Sequence, residues 1–233
     1  MFKQRHTETE IMDDLNFKGE VLDKTLQEIK MINKWLGGDT VTLNAVKEVA
    51  AVTPQISFSI ADIGCGGGDT LCMLADYSRK NKLLLELKGV DANAYITEYA
   101  TRNTADYPEI NYQCANVFSA EFNQQQFDII SCSLFCHHFN DDELVKLLAQ
   151  LKQQAKLAVV INDLHRHPFA YYSIALIASL FSKSYMFRYD SKLSVLRAFK
   201  KKELKAILEK AGYSSFSIQW KWAFRYKVIA WSK

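Results

Sequence analysis

The sequence predicts an α/β fold in which helices cover both faces of a mostly parallel sheet. From residue 56 onward, short apolar runs alternate with helical patterns, which is typical of parallel strands joined by right-handed crossovers. A glycine-rich turn follows the first run, and polar residues gather where the strands are expected to end. Because doubly wound sheets bind ligands beyond the carboxyl ends of their strands, we expect the functional site at this edge.

Apolar runs bounded by turn residues predict the strands. They are ISFSIADI (56–63), LLLELKGVD (83–91), INYQCANV (110–117), FDIISCSL (127–134), AKLAVVIND (155–163), YSSFSIQW (213–220) and RYKVIAW (225–231). The last two runs have no helix between them, which predicts a closing hairpin or strand pair.

Helical patterns fill the intervals between strands. The first predicted helix runs from the glycine turn to about residue 79. The others cover 94–105, 141–154, 167–186 (as one helix or a pair) and 201–212. Residues 1–50 are also helical in pattern, with one amphipathic helix over 20–36 that Gly37 and Gly38 end. We therefore predict an N-terminal helical cap over 1–50, acting as a lid, and an α/β domain over 51–233 with a helical insertion at about 166–198.

Length and composition favour one sizeable globular domain. The chain has 233 residues, is 48% hydrophobic and contains only 9 Gly and 3 Pro, which argues against disorder. Five cysteines without a CxxC pair indicate reduced thiols and a cytoplasmic location. The N-terminus lacks the apolar core of a signal peptide, and the longest apolar run (169–181) is too short to span a bilayer, so a soluble protein is expected.

Charge is distributed unevenly along the chain. Residues 151–233 hold 16 Lys and Arg against 4 Asp and Glu, whereas residues 1–150 are acidic. A basic half is compatible with nucleic acid, an anionic membrane surface or acidic substrates, although an ordinary solvated surface has the same composition.

The glycine turn, SIADIGCGGGDT (59–70), indicates the kind of cofactor. It differs from a dinucleotide fingerprint because Asp69 stands where helix packing needs a small residue. Asp62 and Asp69 would repel a diphosphate in a low-dielectric crevice, whereas they would attract the ammonium and sulfonium of S-adenosylmethionine. Asp91, 23 residues after Gly68, is suitably placed for the ribose hydroxyls.

Four blocks in this order resemble the class I S-adenosylmethionine-dependent methyltransferases. The blocks are ADIGCGGG, GVDAN, CANVF and FDIISCSLFCHHF, and the resemblance covers about residues 56–165. Within this class the chain is most similar to the ubiquinone and menaquinone biosynthesis methyltransferases. The resemblance implies a Rossmann-like, seven-stranded sheet whose last strand is antiparallel, and S-adenosylhomocysteine as the product of the cofactor.

The resemblance also implies which residues bind the cofactor. The glycine loop corresponds to Asp62, Gly64, Cys65, Gly66 and Gly68, the ribose site to Asp91 and Ala92, the adenine edge to Asn116 and Val117, and the methionyl part to Ser133 and Leu134. Many relatives have Asp at the position of Asn116; a neutral amide can still accept a hydrogen bond from the adenine amino group.

Each of these motifs has a simpler structural interpretation. The glycines would also serve tight packing, Asp91 would serve as a helix N-cap, and Cys65 and Cys132 are small core residues rather than nucleophiles. A metal site on Cys132, Cys136, His137 and His138 lacks the usual separated ligand pairs, and no metal is predicted.

Methylation of a hydroxyl needs a base, and histidine suits that role near neutral pH. LFCHHF follows the fourth strand and INDLHRHP the fifth, so we predict His137 or His165 as the base. Adjacent helical residues do not point the same way, so one of His137 and His138 is expected to be structural. The alternative is that the histidines of both loops only cap or hydrogen-bond neighbouring elements.

The acceptor is expected to be small and hydrophobic or phenolic. The segment 167–190 is apolar nearly all round and rich in aromatic residues, so it either lines a hydrophobic pocket or covers a sheet face. INDLHRHPFAYY, RYDSKLSVLRAF and WKWAFRYKVIAW also resemble methyltransferases that accompany type III polyketide synthases. That resemblance implies O-methylation of a phenolic lipid or polyketide and, through residues such as Arg188 and Lys192, at most peripheral membrane contact.

Three other functions remain open at this stage. C-methylation of a quinone precursor would use the same fold and make a base dispensable. A nucleic-acid methyltransferase is disfavoured, because SCSLFCHH stands where base-amino methylases carry (N/D)PP(Y/F). A non-catalytic cofactor-binding subunit is the third alternative, and the oligomeric state is not predicted.

Overall fold

A computed structural model describes all 233 residues and contains one seven-stranded sheet. The strands are β1 (Ser57–Ile63), β2 (Leu84–Asp91), β3 (Ile110–Cys114), β4 (Phe127–Ser133), β5 (Ala155–Leu164), β6 (Phe216–Lys221) and β7 (Arg225–Trp231). They lie in the order β3-β2-β1-β4-β5-β7-β6.

The strand directions confirm the predicted fold class. Strands β1 to β5 are mutually parallel, whereas β7 runs antiparallel to both of its neighbours, β5 and β6. The strand order reverses at β1, which has β2 on one side and β4 on the other. A crevice opens at the carboxyl ends of the strands where the order reverses, and this is where doubly wound sheets bind ligands.

Nine helices surround this sheet. They are α1 (Glu20–Trp35), α2 (Gly38–Ala51), α3 (Asp69–Asn81), α4 (Ala94–Asn103), α5 (Ala120–Asn123), α6 (Asp141–Gln154), α7 (Pro168–Phe181), α8 (Tyr185–Arg197) and α9 (Lys201–Lys210). Short 3₁₀ turns cover Ile11–Asp13 and Cys136–His138.

Two apolar cores hold helices against opposite faces of the sheet. One core joins α6 and α9 to β4, β5 and β7 through residues such as Leu147, Leu204 and Val159. The other joins α2 and α3 to the opposite face, with Val46 and Leu71 at its centre. Strands β1 and β5 are buried on both faces along most of their length, which explains the consecutive apolar residues Ile60 and Ala61 in β1 and 157–161 in β5.

Side-chain caps fix the helices that begin near the crevice. The Asn93 side chain accepts hydrogen bonds from the backbone N–H groups of Tyr95 and Ile96 and so begins α4 directly after β2. Asn140 and Glu143 form a capping box at the start of α6. These caps hold the loops after β2 and β4 in place at the edge of the sheet.

The N-terminal region divides into two parts with different packing. Helix α1 lies over the crevice, where Leu22 and Leu26 pack against Ile96 and Met186. Helix α2 packs directly on the sheet, and its Val46 and Val49 belong to the second core. The apolar packing of α2 against the sheet therefore joins residues on both sides of residue 50, where a domain boundary is predicted. The division into two domains stays a prediction.

The predicted insertion forms two helices, α7 and α8, and the second continues to Arg197, beyond the helical pattern recognised up to residue 186. The pair packs on itself and on α1. None of the helices combines the length and apolar character needed to cross a bilayer.

Candidate active site

A single large cavity of about 880 Å³ lies at the carboxyl ends of β1, β2, β4 and β5. About half of its lining residues are hydrophobic. Ten of the eleven predicted cofactor-binding residues line it: Asp62, Gly64, Cys65, Gly66, Asp91, Ala92, Asn116, Val117, Ser133 and Leu134. Of the two predicted bases, His137 lines the cavity and His165 does not.

The glycine loop turns sharply between β1 and α3. The backbone N–H groups of Gly64 and Cys65 both donate to the Val90 carbonyl, at 2.8 and 3.2 Å. Gly66 has φ +51°, and a Cβ added there would meet only Leu26 Cδ2, at 3.8 Å. Gly66 therefore leaves backbone accessible on the cavity side, as a flat ligand lying against the chain requires.

Gly68, the remaining predicted residue, faces away from the cavity. A Cβ at Gly68 would lie 2.1 Å from the Tyr112 hydroxyl oxygen, and its φ is +80°. This glycine permits close packing of the loop on β3, which is the structural interpretation of a glycine turn. Its predicted contact with the cofactor is not supported by this geometry.

Two carboxylates face the cavity beside the glycine loop. Asp62 is 2% exposed, and its Oδ1 accepts a hydrogen bond of 2.6 Å from Ser131 Oγ. Burial raises the pKa of Asp62 to about 7 in spite of that bond. Asp91 accepts from the backbone N–H groups of Asn93 (3.0 Å) and Gly66 (3.3 Å), and burial also raises its pKa. A cationic ligand would stabilise both ionised carboxylates.

The third acid of the loop, Asp69, does not contribute in this way. Lys30 Nζ from α1 lies 2.7 Å from Asp69 Oδ1 and compensates its charge. From the sequence, Asp69 is expected to help select a cationic cofactor; in the structure that selection depends on Asp62 and Asp91. The ion pair instead links the covering helix to the glycine loop.

The residues predicted at the adenine edge and beside the methionyl part form hydrogen bonds within the chain. Asn116 Oδ1 accepts from the backbone N–H of Phe118 at 2.9 Å, which leaves its second lone pair and its amino group for a ligand. The Ser133 hydroxyl lies 2.7 Å from that of Thr42. The Leu134 backbone N–H donates to the Asn162 carbonyl at 2.8 Å.

His137 is fixed by a buried carboxylate. Its Nδ1 lies 2.8 Å from Asp163 Oδ1, and its backbone N–H donates to Asp163 Oδ2 at 3.1 Å. Although burial disfavours the ionised form, the neighbouring His137 and hydrogen bonds, including one from the Leu164 N–H, bring the pKa of Asp163 below its ordinary value. Asp163 thus accepts the Nδ1 proton and leaves Nε2 of His137 facing the cavity.

Glu10 stands opposite this nitrogen and is a residue that the sequence analysis missed. Its Oε1 lies 3.6 Å from His137 Nε2 and has no hydrogen-bond partner, although it is buried. Burial raises the pKa of Glu10 to about 7. Glu10 and His137 are 127 positions apart in the sequence, so no local spacing connects them; the acidic stretch ETEIMDD in a predicted lid is the only available signal.

His138 also lines the cavity, contrary to the expectation that one of the two histidines points away. The residues lie in a 3₁₀ turn, and their ring centroids are 4.3 Å apart. His138 Nδ1 lies 2.5 Å from Asp13 Oδ1. Burial alone would raise the pKa of Asp13, but His138 and Arg197 lower it well below its ordinary value.

Glu10, His137 and His138 are also close enough to share a metal ion, since one ligand atom from each lies within 4.8 Å of the others. Arg197 Nη1, 3.8 Å from Glu10 Oε1, already places a positive charge beside this oxygen. Cys132 and Cys136, weighed as ligands from the sequence, are buried in the first apolar core and do not join this group.

His165 lies outside the cavity wall. Its ring packs against Tyr226 and His167, at centroid distances of 5.0 and 5.3 Å, and its backbone pairs with Phe199. Burial and the neighbouring cations lower the pKa of His165 to about 4. Its position therefore gives it no access to an acceptor in the cavity.

An N-terminal strap, which we define as residues 1–18, closes this side of the cavity. Arg197 holds the strap through Asp13 (Nη1 to Oδ2, 2.6 Å) and also donates from Nε to the His137 carbonyl at 3.1 Å. Arg5 donates to the Phe139 carbonyl at 2.7 Å and lies 2.5 Å from Asp141 Oδ1. The strap and the histidine turn are thus connected by several charged contacts.

Apolar side chains from α1, α7 and α8 form another part of the cavity wall. They include Ile29, Ile32, Leu36, Ile174, Ile177 and Phe187. The predicted insertion therefore lines a hydrophobic part of the cavity with one face of α7.

Comparison with known proteins agrees with this geometry. Residues 60–157 match the model of a methyltransferase domain. A ubiquinone biosynthesis O-methyltransferase from Coxiella burnetii is 32% identical over 95 residues, which are 40% of this chain and 38% of that protein. The chain thus aligns with less than half the length of this curated relative.

Two solved structures show the same fold at low identity. The plantazolicin methyltransferase BpumL, in complex with a monoazolic desmethylPZN analog and S-adenosylhomocysteine, has a TM-score of 0.64 at 18% identity over 91% of this chain and 89% of its own. The carbon methyltransferase CurJ has a TM-score of 0.62 at 17% identity, over 84% and 54% of the two chains. The predicted resemblance to methyltransferases, here over residues 60–157, and the predicted Rossmann-like fold are therefore confirmed.

Proposed function

We propose that this chain is an S-adenosylmethionine-dependent methyltransferase that transfers the methyl group to a hydroxyl of a small, hydrophobic, preferably phenolic acceptor. One observation carries the proposal: His137 Nε2, oriented by Asp163, lines the same cavity as the glycine loop. The family model over residues 60–157 and the carboxylates Asp62 and Asp91 support the choice of cofactor.

The cofactor-binding half of the cavity is formed by the glycine loop and by the two carboxylates that have no basic partner, Asp62 and Asp91. Gly66 lets a flat ligand lie against the backbone, Asp91 is placed for ribose hydroxyls, and Asp62 favours positive charge. When bound, S-adenosylmethionine supplies a methyl group on a positively charged sulfur. Helix α1 covers this half and excludes water.

The proton-accepting half is formed by His137 with its two carboxylate neighbours. Asp163 keeps the proton on Nδ1, so Nε2 accepts the proton of the acceptor hydroxyl while the oxygen gains the methyl group. Glu10, 3.6 Å from Nε2, stabilises the imidazolium that forms. The apolar wall on α7 and α8 favours an aromatic or aliphatic acceptor body over a charged one.

Binding and turnover measurements test this proposal. Calorimetry should show that the chain binds S-adenosylhomocysteine and not NAD. A screen of hydrophobic phenols with a labelled methyl donor should then identify acceptors, and fragmentation of the product distinguishes O- from C-methylation. Tight binding of NAD without binding of S-adenosylhomocysteine would refute the proposal.

Two histidine variants separate the proposed base from the other histidine predicted by sequence. His137→Asn should lower kcat by roughly 10²- to 10⁴-fold, the usual contribution of a general base. His165→Asn is the matched control and should retain the wild-type kcat. Equal activity of both variants would remove His137 from the proposed role.

A further inference from the structure

The outer face of α7 is an exposed apolar surface without a partner in the chain. Phe169, Tyr172, Leu176 and Leu180 are each between 60% and 70% exposed. Their spacing of three, four and four residues places them on one side of the helix. The opposite side, with Ala170, Ile174 and Ile177, lines the cavity. The cavity therefore accounts for the apolar residues on that side only, and not for those on the exposed side.

Aromatic side chains flank both ends of this face. At the first turn of α7, Phe169 stacks on His167 (5.5 Å between ring centroids) and His167 stacks on Phe224 (5.3 Å). The exposed Trp220 and Trp222 lie in the same hairpin as Phe224. At the last turn, the exposed Trp35 packs edge-on against Phe181 at 5.8 Å. Tryptophan and tyrosine at the margins of an apolar surface are typical of the boundary between lipid and water.

The charged side chains between Asp163 and Asp190, the segment that contains the face, are all basic. No Asp or Glu occurs between Asp163 and Asp190, whereas Lys183 and Arg188 are exposed in that interval. Glu28 of α1 contacts the α7–α8 turn, where it accepts hydrogen bonds from Ser182 Oγ (2.5 Å) and the Lys183 N–H (3.1 Å). Basic groups beside an apolar surface complement anionic lipid headgroups.

We infer that this membrane face, consisting of the outer side of α7 and its flanking tryptophans, binds the surface of a bilayer that contains anionic lipid. Binding to a bilayer explains why exposed Leu and Phe side chains are concentrated on one helix. The basic residues beside them explain why the lipid is expected to be anionic. Helix α7 has this face on one side and the cavity on the other, so binding to the membrane would bring the cavity close to acceptors dissolved in the bilayer. Only this consequence rests on the proposed function.

Vesicle flotation of the full chain tests the membrane face without any methyl transfer. The chain should float with vesicles of phosphatidylcholine containing about one third phosphatidylglycerol and bind vesicles of phosphatidylcholine alone several-fold less well. The triple variant Phe169→Ser, Leu176→Ser, Leu180→Ser should lower the partition coefficient at least tenfold, since each substitution removes an exposed apolar side chain that the bilayer would bury. Lipids brominated in the acyl chain should quench tryptophan fluorescence, less so in Trp35→Phe.

A matched triple variant controls for surface apolarity in general. Val52→Ser, Ile56→Ser and Leu84→Ser change side chains that are 65% to 68% exposed at the opposite edge of the sheet, and flotation should not change. Lys183→Glu, which leaves the apolar residues intact, should weaken binding to the anionic vesicles several-fold. Binding of S-adenosylhomocysteine and the melting temperature show whether each variant folds.

Two outcomes would overturn the inference. One is a folded wild-type chain that remains in solution with both kinds of vesicle. The other is self-association through this face, seen by sedimentation velocity as a dimer that the α7 triple variant converts to monomer while neither protein floats. Loss of methyl transfer with retained flotation would refute only the proposed function.

Discussion

Asp163 Oδ1 lies 2.8 Å from His137 Nδ1, and this contact determines which ring nitrogen faces the cavity. The carboxylate is fully buried and also accepts two backbone N–H groups, so it holds the ring without needing a bound ligand. The orientation of the proposed base is therefore a property of the folded chain.

Asp163→Asn should lower kcat by roughly 10²- to 10⁴-fold with little change in KM, because the amide can donate to Nδ1 and favour the other tautomer. Steady-state kinetics with the identified acceptor measure this effect. Asp128→Asn is the control, because Asp128 also accepts a backbone N–H, from Ser59 at 2.8 Å, but lies far from the cavity. A variant of Asp163 that turns over normally would contradict the assigned role.

Activity should rise with pH through an apparent pKa near 7, because Glu10 stabilises the imidazolium only when it is ionised and burial raises its pKa to about 7. Below that pH the protonated carboxyl gives no such stabilisation. Glu10→Gln should lower kcat at pH 8 and flatten this limb of the pH profile. An unchanged profile would show that Glu10 does not act on His137.

Stability of the ligand-free chain should fall between about pH 4 and pH 7 because of Asp62, whose pKa burial raises to about 7. In that interval the folded chain holds a proton that the unfolded chain has released, so raising the pH favours unfolding. Asp62→Asn should remove on the order of 1–3 kcal/mol of this pH dependence. Denaturant unfolding at a series of pH values, with wild type and variant compared, measures the difference.

The same carboxyl group predicts proton release on cofactor binding. An ammonium or sulfonium nearby lowers the pKa of Asp62, so binding of S-adenosylmethionine at pH 6.5 should release protons. Calorimetry in buffers of different ionisation enthalpy detects this release. Asp62→Asn should bind without it, and equal release by both proteins would assign the proton to another group.

Two glycine substitutions should affect different properties: one mainly cofactor affinity, the other mainly the stability of the fold. Gly66→Ala adds a Cβ whose nearest neighbour is Leu26 at 3.8 Å, so the folded chain should lose only about 1–2 kcal/mol from the left-handed φ while cofactor affinity falls about tenfold or more. Gly68→Ala adds a Cβ 2.1 Å from the Tyr112 hydroxyl and should mainly destabilise the fold. Melting temperatures together with S-adenosylhomocysteine affinities test the contrast.

Arg197→Ala should release the N-terminal strap. The substitution removes the bonds to Asp13 and to the His137 carbonyl, and it removes the cation beside the buried Glu10. Removing one partner of a buried charged pair costs roughly 3–5 kcal/mol. Limited trypsin digestion should then cut faster after Lys18. Arg188→Ala, at an exposed arginine that bonds only to backbone carbonyls at the end of α7, should digest like the wild type.

Residues close in sequence to a strand end were predictable because the fold itself brings those ends together. The strands, the glycine loop, Asp91 and His137 all follow from alternating patterns and from the rule that parallel strands end at one edge. Gly68 differs because its neighbour, Tyr112, comes from β3, and only the folded sheet shows that contact.

Contacts between distant segments were not predictable. Lys30 neutralises Asp69 from a helix placed over the loop by tertiary packing. Glu10 reaches His137 from the N-terminal strap, where it caps the short 3₁₀ turn Ile11–Asp13. His138 turned inward because a 3₁₀ turn, rather than an α-helix, follows β4. Such pairings depend on the packing of whole elements, which a single sequence does not encode as a local pattern.

The segment that matches the methyltransferase domain, residues 60–157, contains His137 but neither Glu10 nor Asp163, and it lacks the apolar wall of α7 and α8. Under the proposed function, donor recognition and acceptor recognition therefore depend on separable stretches of polypeptide. Chimeras are a direct use of this arrangement: exchanging the strap together with the α7–α8 pair between two such enzymes should transplant acceptor preference while the nucleoside half remains untouched.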